Sequence, residues 1–500
     1  MPAVNESRHG ATPGGAVLSS VFALALTMPC TGLSQDSAAR LKPPSSVSRE
    51  AAAAAAAPTS TEPKLNWETG AGKSYVIPAL EILGFDFLLN RINQSRYGCC
   101  DYDVTMSTIR RNLHSSWKDD RDPFQVNQLG HPYQGSMYHG FARSAGLSYW
   151  ESLGYTFMGS VAWEIAGETT RPSKNDQIAS GIGGTFLGEA LFRMSNLVLE
   201  NATDTPKFWR EVSAAVISPS TGFNRLAFDD RFDNIFSSNG AAYYSRFALG
   251  ASAAPQSSGG PSTRTGRAEG LADFSIDYGL PGKPDYTYKR PFDYFAFQAT
   301  ASTANAFENV MTRGLLFGTD YAEGKYYRGV WGLYGSYDYI SPQFFRISST
   351  ALSIGTTGQL WMSNTIALQG TAMLGAGYAA VGTVRRAVPT DQDYHYGVAP
   401  QALLAFRLIF GETASLDLTA REYFVTKVSA AERAGHDNIV RVDAGLTWRI
   451  HKQHAFAIKY LWNRRDATFS DLGDRSQTRG TIGIFYTLLG HDRFGATEWR

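Results

Sequence analysis

The sequence predicts an α+β protein: an N-terminal helical domain followed by an antiparallel, up-and-down transmembrane β-barrel of about 12 strands. Three observations predict it. From about Ala241 onward the apolar period switches to two, as in strands with one greasy and one polar face. Aromatics reach 13% with 49 Gly, while charged residues are only 18%, below the roughly 25% usual for a soluble domain. No apolar run reaches the roughly 18 residues that a membrane-spanning helix needs, so any crossing must be made by strands. A soluble β-sandwich with an aromatic core is the competing reading of the same composition.

The clearest strand is Ile439–Ile450, where Val440, Val442, Ala444, Leu446, Trp448 and Ile450 share one face, while Arg441, Asp443, Thr447 and Arg449 share the other. Ala414–Arg421, Phe456–Asn463 and Asp273–Tyr278 alternate in the same way. Weaker alternation marks Ala241–Leu249, Phe292–Ala301, Val310–Thr319, Tyr326–Tyr339, Phe345–Gln359, Thr365–Tyr378, Tyr396–Phe410 and Thr478–Leu488. Turn and loop signals separate them at Leu280–Asp285, Asp320–Lys325, Val384–Asp393, Ala430–Asp437 and Asp466–Ser476. Closure follows because lipid offers no partner to an unpaired backbone N–H or C=O. Aromatics near strand ends (Tyr326, Tyr327 and Trp331; Tyr337 and Tyr339; Tyr394 and Tyr396; Tyr423 and Phe424; Tyr486) are expected to form interfacial girdles.

The chain carries 46 basic and 45 acidic residues, a balance that argues against a nucleic-acid surface. Of three cysteines, Cys30 falls in the expected export signal, and the neighbours Cys99 and Cys100 suggest neither a disulfide framework nor a zinc site. Residues 1–34 read as a signal peptide, with Ala16–Met28 as its apolar stretch and a cut near Ser34–Gln35. Residues 35–64 read as a disordered Ala/Ser/Pro linker that includes the run Ala51–Ala57. That leaves 65–240 for the helical domain with its connector and 241–500 for the barrel.

In the helical domain, Ile77–Leu89, Phe141–Gly167 and Ile178–Leu199 show helical spacing, and Ser173 or Asn175 is placed to cap the last of them. Asn201–Gly240 reads as a connector. Gly184-x-x-x-Gly188 offers a small-residue face for close helix contact. Polar residues punctuate the block: Asp119, Asp120, Asp122, Asn127, His131, His139, Arg143, Glu164, Glu168, Asp176 and Glu189. In a structural reading Arg143 pairs with Glu164 or Glu168, while His131 and Asn127 cap turns. In a catalytic reading His131, Glu164 and Asp176 converge as acid–base groups or cation ligands, with Asp120, Asp122, Asn127, Arg143, Glu168 and Glu189 as the surrounding polar cluster. No nucleotide, phosphate or zinc-hydrolase motif is present, so no cofactor is expected and any metal stays unassigned.

Trp117-Lys-Asp-Asp-Arg-Asp-Pro-Phe-Gln-Val-Asn127, His131-Pro-Tyr-Gln-Gly-Ser136, Tyr138, Ala142-Arg143 and Gly146 resemble the opening pattern of the bacterial family called domain of unknown function 3943. Glu151-Ser152, Trp163-Glu164, Glu168, Pro172–Asp176 and Gly183–Glu189 continue it in order, so the resemblance covers about Trp67–Glu200. It implies an exported protein at the bacterial outer membrane and carries no established activity. The leading expectation is therefore a non-enzymatic outer-membrane barrel of structural or transport type. Its helical domain is expected to plug the barrel or to dock on its periplasmic end. The expected partners are outer-membrane lipid and a small solute or lipid ligand. The alternative is a membrane-embedded lipid- or glycan-modifying enzyme using His131, Glu164 and Asp176.

Overall fold

The structure, a computed structural model, describes residues 64–499 apart from 99, 121, 202–204, 255–266, 343–344, 383–393, 427–434, 471–472 and 491–492. The expected signal peptide and, save for its last residue, the expected linker lie outside the described residues.

Alternation in the second half builds β1 (Tyr243–Ala254), β2 (Arg267–Tyr278), β3 (Phe295–Ser302), β4 (Asn309–Glu323), β5 (Tyr327–Ile340) and β6 (Ile347–Trp361). It continues with β7 (Ile366–Gly382), β8 (Tyr394–Phe410), β9 (Ala414–Thr426), β10 (Gly435–His451), β11 (His454–Phe469) and β12 (Gly473–Leu489). Each strand pairs antiparallel with its sequence neighbour, and β1 closes on β12, giving a twelve-stranded barrel without a free edge. One rim carries the tight connections 324–326, 362–365, 411–413 and 452–453 and is here the turn end; the opposite rim is the loop end. Leu446, Trp448 and Ile450 face outward and exposed, whereas Arg441, Asp443 and Thr447 face the lumen.

The helices are α1 (Val76–Tyr97), α2 (Met106–Leu113), α3 (His131–Ser144), α4 (Tyr149–Ala166), α5 (Gly184–Glu200), α6 (Lys207–Ile217) and α7 (Pro219–Ala227). The stretch expected as one helix over Phe141–Gly167 is two. The chain turns at Gly146 with φ +93°, and Ser148 with Glu151 forms a capping box that starts α4 afresh. The expected connector Asn201–Gly240 likewise contains α6 and α7. Ser173 does cap, accepting from the Asp176 N–H, and the chain then runs through a π-helical turn at Gln177–Gly183 into α5.

The Gly184–Gly188 face is where α5 meets α3. A methyl group at Gly184 would fall 2.6 Å from the Gly135 Cα, and one at Gly135 only 2.0 Å from the Ser180 carbonyl oxygen. From this crossing α5 extends along the outside of the barrel wall. Phe186 packs on Gly335, Gly183 sits beside Thr350, and Phe186 stacks on Phe292 with centroids 6.2 Å apart. Gly335, Tyr337 and Tyr339 point outward, because the alternate residues Ser336 and Asp338 line a lumenal recess. The girdle expectation is corrected for five aromatics. Tyr337, Tyr339, Tyr394 and Tyr396 are covered by the helical domain, and Tyr423 points into the lumen, where it donates to Asp338 at 2.8 Å.

The helical domain does not plug the lumen. A lumenal cavity of about 250 Å³ is lined by residues between Arg246 and Phe485 alone. A different segment enters the lumen, next to this cavity: beyond β12 the C-terminal tail folds back into the turn end. There Phe494 packs on Tyr244 and Ala496 joins Trp361, Ala367 and Ile409. Gln359 and Trp361 donate to the Thr497 carbonyl at 2.7 and 3.1 Å, and Gln369 donates to that of Gly495 at 2.7 Å.

Candidate functional site

Two polar networks in the helical domain hold between them the candidate site residues, while Asp119 is exposed. The first centres on Glu189, from α5. Arg143 Nε donates to it at 2.7 Å and Arg193 Nε at 2.9 Å, while His139 Nε2 lies 3.0 Å away. Arg143 is therefore the partner of Glu189, which corrects the expected pairing with Glu164 or Glu168. Its guanidinium also lies against Trp67, Phe192 and Phe236, which shield the pair from solvent. Arg193 continues to Asp293 at 3.0 Å, where Arg290 also binds, tying α5 to the β2–β3 connection at the turn end. Two guanidiniums and an imidazole thus converge on one buried carboxylate.

The second network lies at the loop end and gathers the catalytic candidates. His131 opens α3 beneath a π-helical turn, Val126–Gly130, and its Nε2 stands 3.9 Å from Asp176 Oδ2. Its Nδ1 lies 3.3 Å from the Ser180 hydroxyl. Asp176 accepts from Ser173 and, at 2.8 Å, from Asn175. Glu164 does not reach His131; it accepts the Ser173 N–H at 2.7 Å. Glu168 accepts from Trp163 Nε1 at 2.9 Å and from Thr170 at 3.1 Å. Asp120 accepts from Asn127 at 3.0 Å and, through its N–H, donates to Asn175 at 2.7 Å.

This network is also the bolt between domain and wall. Asn175 donates to the Tyr396 hydroxyl at 2.7 Å, Gln128 to the same hydroxyl at 3.1 Å, and Asn127 to Tyr394 at 2.9 Å. Tyr394 in turn donates to the Asp122 carbonyl at 2.7 Å. Asn127 is a cross-domain donor rather than the turn cap expected of it. Carboxylates predominate here, so burial, reinforced by Asp120 and Asp119, raises Asp176 to about 8. Glu168 rises to about 7, chiefly through burial.

Chemically, Ser180, His131 and Asp176 stand in the order of a nucleophile, a base and an orienting acid. Ser180 was missed in the sequence because it lies in a plain Ala-Ser-Gly run without a nucleophile motif. It is 1% exposed, with the α3 backbone at Gly135 pressed against its carbonyl, which leaves no room for a substrate beside the hydroxyl. Among the described residues no group of three or more His, Cys, Asp and Glu is placed to hold a metal ion.

Residues 116–220 match the family model Domain of unknown function (DUF3943), which bears out the family that the sequence resembles, with the match starting at 116 rather than near Trp67. No curated protein matches the chain. Among solved structures, the KdgM porin is 7% identical, covering 48% of this chain and 98% of its own, with a TM-score of 0.23. The NanC porin is 8% identical over 49% of this chain and 99% of its own, with a TM-score of 0.23. The outer membrane channel DcaP of Acinetobacter baumannii is 8% identical over 50% and 97%, with a TM-score of 0.22. These likenesses are too slight to carry a functional argument.

Proposed function

We propose, from the premise that this chain carries a DUF3943 domain, that it is an outer-membrane barrel holding a small polar solute in a lumen stoppered at the turn end. The observation that carries this reading is the C-terminal tail seated inside the wall, donor by donor, on Gln359, Trp361 and Gln369. Above it the cavity is lined by charges of both signs. Arg246 and Arg407 both pair with Asp417, at 2.9 and 2.7 Å, and Lys459 pairs with Asp273 at 2.7 Å. Arg313, Arg421 and Arg441 face the same space. Such a wall suits a charged or zwitterionic solute and disfavours an apolar one. Outward-facing Leu416, Leu418, Leu446, Ile458, Ile482 and Ile484 give β9–β12 the surface that lipid requires.

The helical domain is scaffolding in this reading. Its carboxylates are occupied by Ser173, Asn175, Trp163, Thr170 and Asn127. The test is single-channel conductance in planar bilayers. The native barrel should be nearly silent, and Gln359→Ala with Gln369→Ala should open it in steps. A native barrel that already conducts like an open pore, or a double variant that folds and stays silent, would overturn the stopper.

A further inference from the structure

The helices beside the wall are built inside out. On α1, Asp86 is buried against Tyr138, and the partly buried Glu81 turns toward Asn224. Large apolar side chains point away from the protein: Val76 is 67% exposed, Leu80 64%, Leu83 56% and Phe87 68%. Their spacing of four, three and four residues forms one continuous stripe. On α4 the polar residues Ser152, Thr156, Ser160 and Glu164 recur every four positions and all face inward, while Gly154 and Met158 face out, Met158 at 69%. A helix bordering water shows the reverse arrangement, because water penalises an exposed apolar stripe and burying carboxylates is costlier still.

Orientation supplies the second argument. α5 runs the height of the wall, from Gly183 beside Thr350 near the loop end to Arg193 on Asp293 near the turn end. α4 is tied at its start to the lower wall, with Trp150 stacked on the outward-facing Phe317 at 5.2 Å, and its far end lies by the Asp176 network. α1 runs alongside, from Tyr75, bonded to Glu151, up to Asn90, bonded to the Gly167 carbonyl. Exposed charges collect at the two ends of this bundle: Arg96, Arg111 and Lys118 above, Lys64 and Lys207 below. The exposed apolar band between them is continuous, through Trp150 and Phe317, with the outer face of the barrel.

We infer that the helical domain is immersed in the same bilayer as the barrel, flank to flank with the wall, and that α1 and α4 present their outer stripes to lipid acyl chains. No helix of the described residues is long and apolar enough to cross a membrane by itself, so the wall must hold the bundle there. The Asn127–Asn175–Tyr394–Tyr396 bolt and the Arg193–Asp293 pair are the fastenings. Acyl chains are the occupant because the stripe continues a surface that lipid already covers in the membrane reading above, on which this inference rests.

The test is nitroxide accessibility in phosphatidylethanolamine–phosphatidylglycerol vesicles, with the full chain freed of its native cysteines. Labels go at Leu83→Cys and Met158→Cys on the helices and at Leu446→Cys and Ile484→Cys on the barrel. All four should collide with oxygen and exclude a water-soluble nickel chelate, with a label at Lys118→Cys doing the opposite. Chelate access at 83 and 158 with lipid exposure at 446 and 484 would overturn the immersion and leave the barrel reading intact. Chelate access at all four would overturn the barrel reading as well. Spin–spin broadening at 83 would mean that a second copy covers the stripe, and would also overturn the proposal.

Discussion

The Glu189 and Asp176 networks sit in one helical domain and solve opposite problems. Around Glu189, two guanidiniums and an imidazole meet one carboxylate, and Asp293 balances the overflow. Around Asp176, the carboxylates of Glu164, Glu168 and Asp120 crowd together, and the base that faces them is the His131 imidazole. Ionised pairs can live in the first; the second lowers its own charge by keeping protons. The comparison teaches that burial fixes neither outcome. The ratio of cations to carboxylates does.

The comparison can be broken most forcefully at its charged half. Glu189→Gln leaves Arg143 and Arg193 buried without their carboxylate and should cost about 3–5 kcal/mol, read as a drop in the unfolding midpoint of the helical signal in detergent. A cost under about 1 kcal/mol would mean that the network is solvated. Next in size, Tyr396→Phe removes the hydroxyl that accepts from Asn175 and Gln128. Stranding those donors should cost about 1–3 kcal/mol and loosen residues 118–183 in hydrogen exchange while the barrel amides stay protected.

The smallest effect is the most discriminating. Glu168 and Asp176 have folded values raised above ordinary carboxylates, to about 7 and 8. Their stabilising contribution is complete below the ordinary carboxylate range and drains away as pH climbs through those folded values. Raising the pH from 6 to 9 should therefore lower the amide protection factors near Asp176 severalfold, after correction for the base-catalysed rise in intrinsic exchange, and leave those around the arginine-paired Glu189 unchanged. Asp176→Asn should flatten that response. Equal sensitivity in both networks would erase the distinction.

Much of the barrel was legible because each of its strands declares its own two faces. Ile439–Ile450 needs no distant partner to reveal which side chains meet lipid. The outward sides of β5 and β8 look the same in sequence, and nothing local in Tyr337 or Tyr396 says that protein covers them. The convergence of His131 with Asp176 was anticipated, but Glu164 reaches only the backbone of Ser173, and Ser180 enters through a π-turn that shifts its register. Arg143 pairs across two helices with a residue 46 positions away, a choice made by the α3–α5 crossing. The tail's insertion was invisible because Arg493–Trp499 carries no periodicity.

That tail has a consequence for how the molecule comes into being. Thr497 and Gly495 rest on Gln359 and Gln369, 138 and 126 positions earlier in the chain. Their seat also includes Tyr244 from the first strand and Ala455 from the eleventh. No partial sheet offers those groups together, so the seat exists only after the seam between first and last strands has zipped. Contacts of such long range form late. The tail thus works as a latch that only a finished cylinder can throw, and an unlatched tail marks a chain still under assembly.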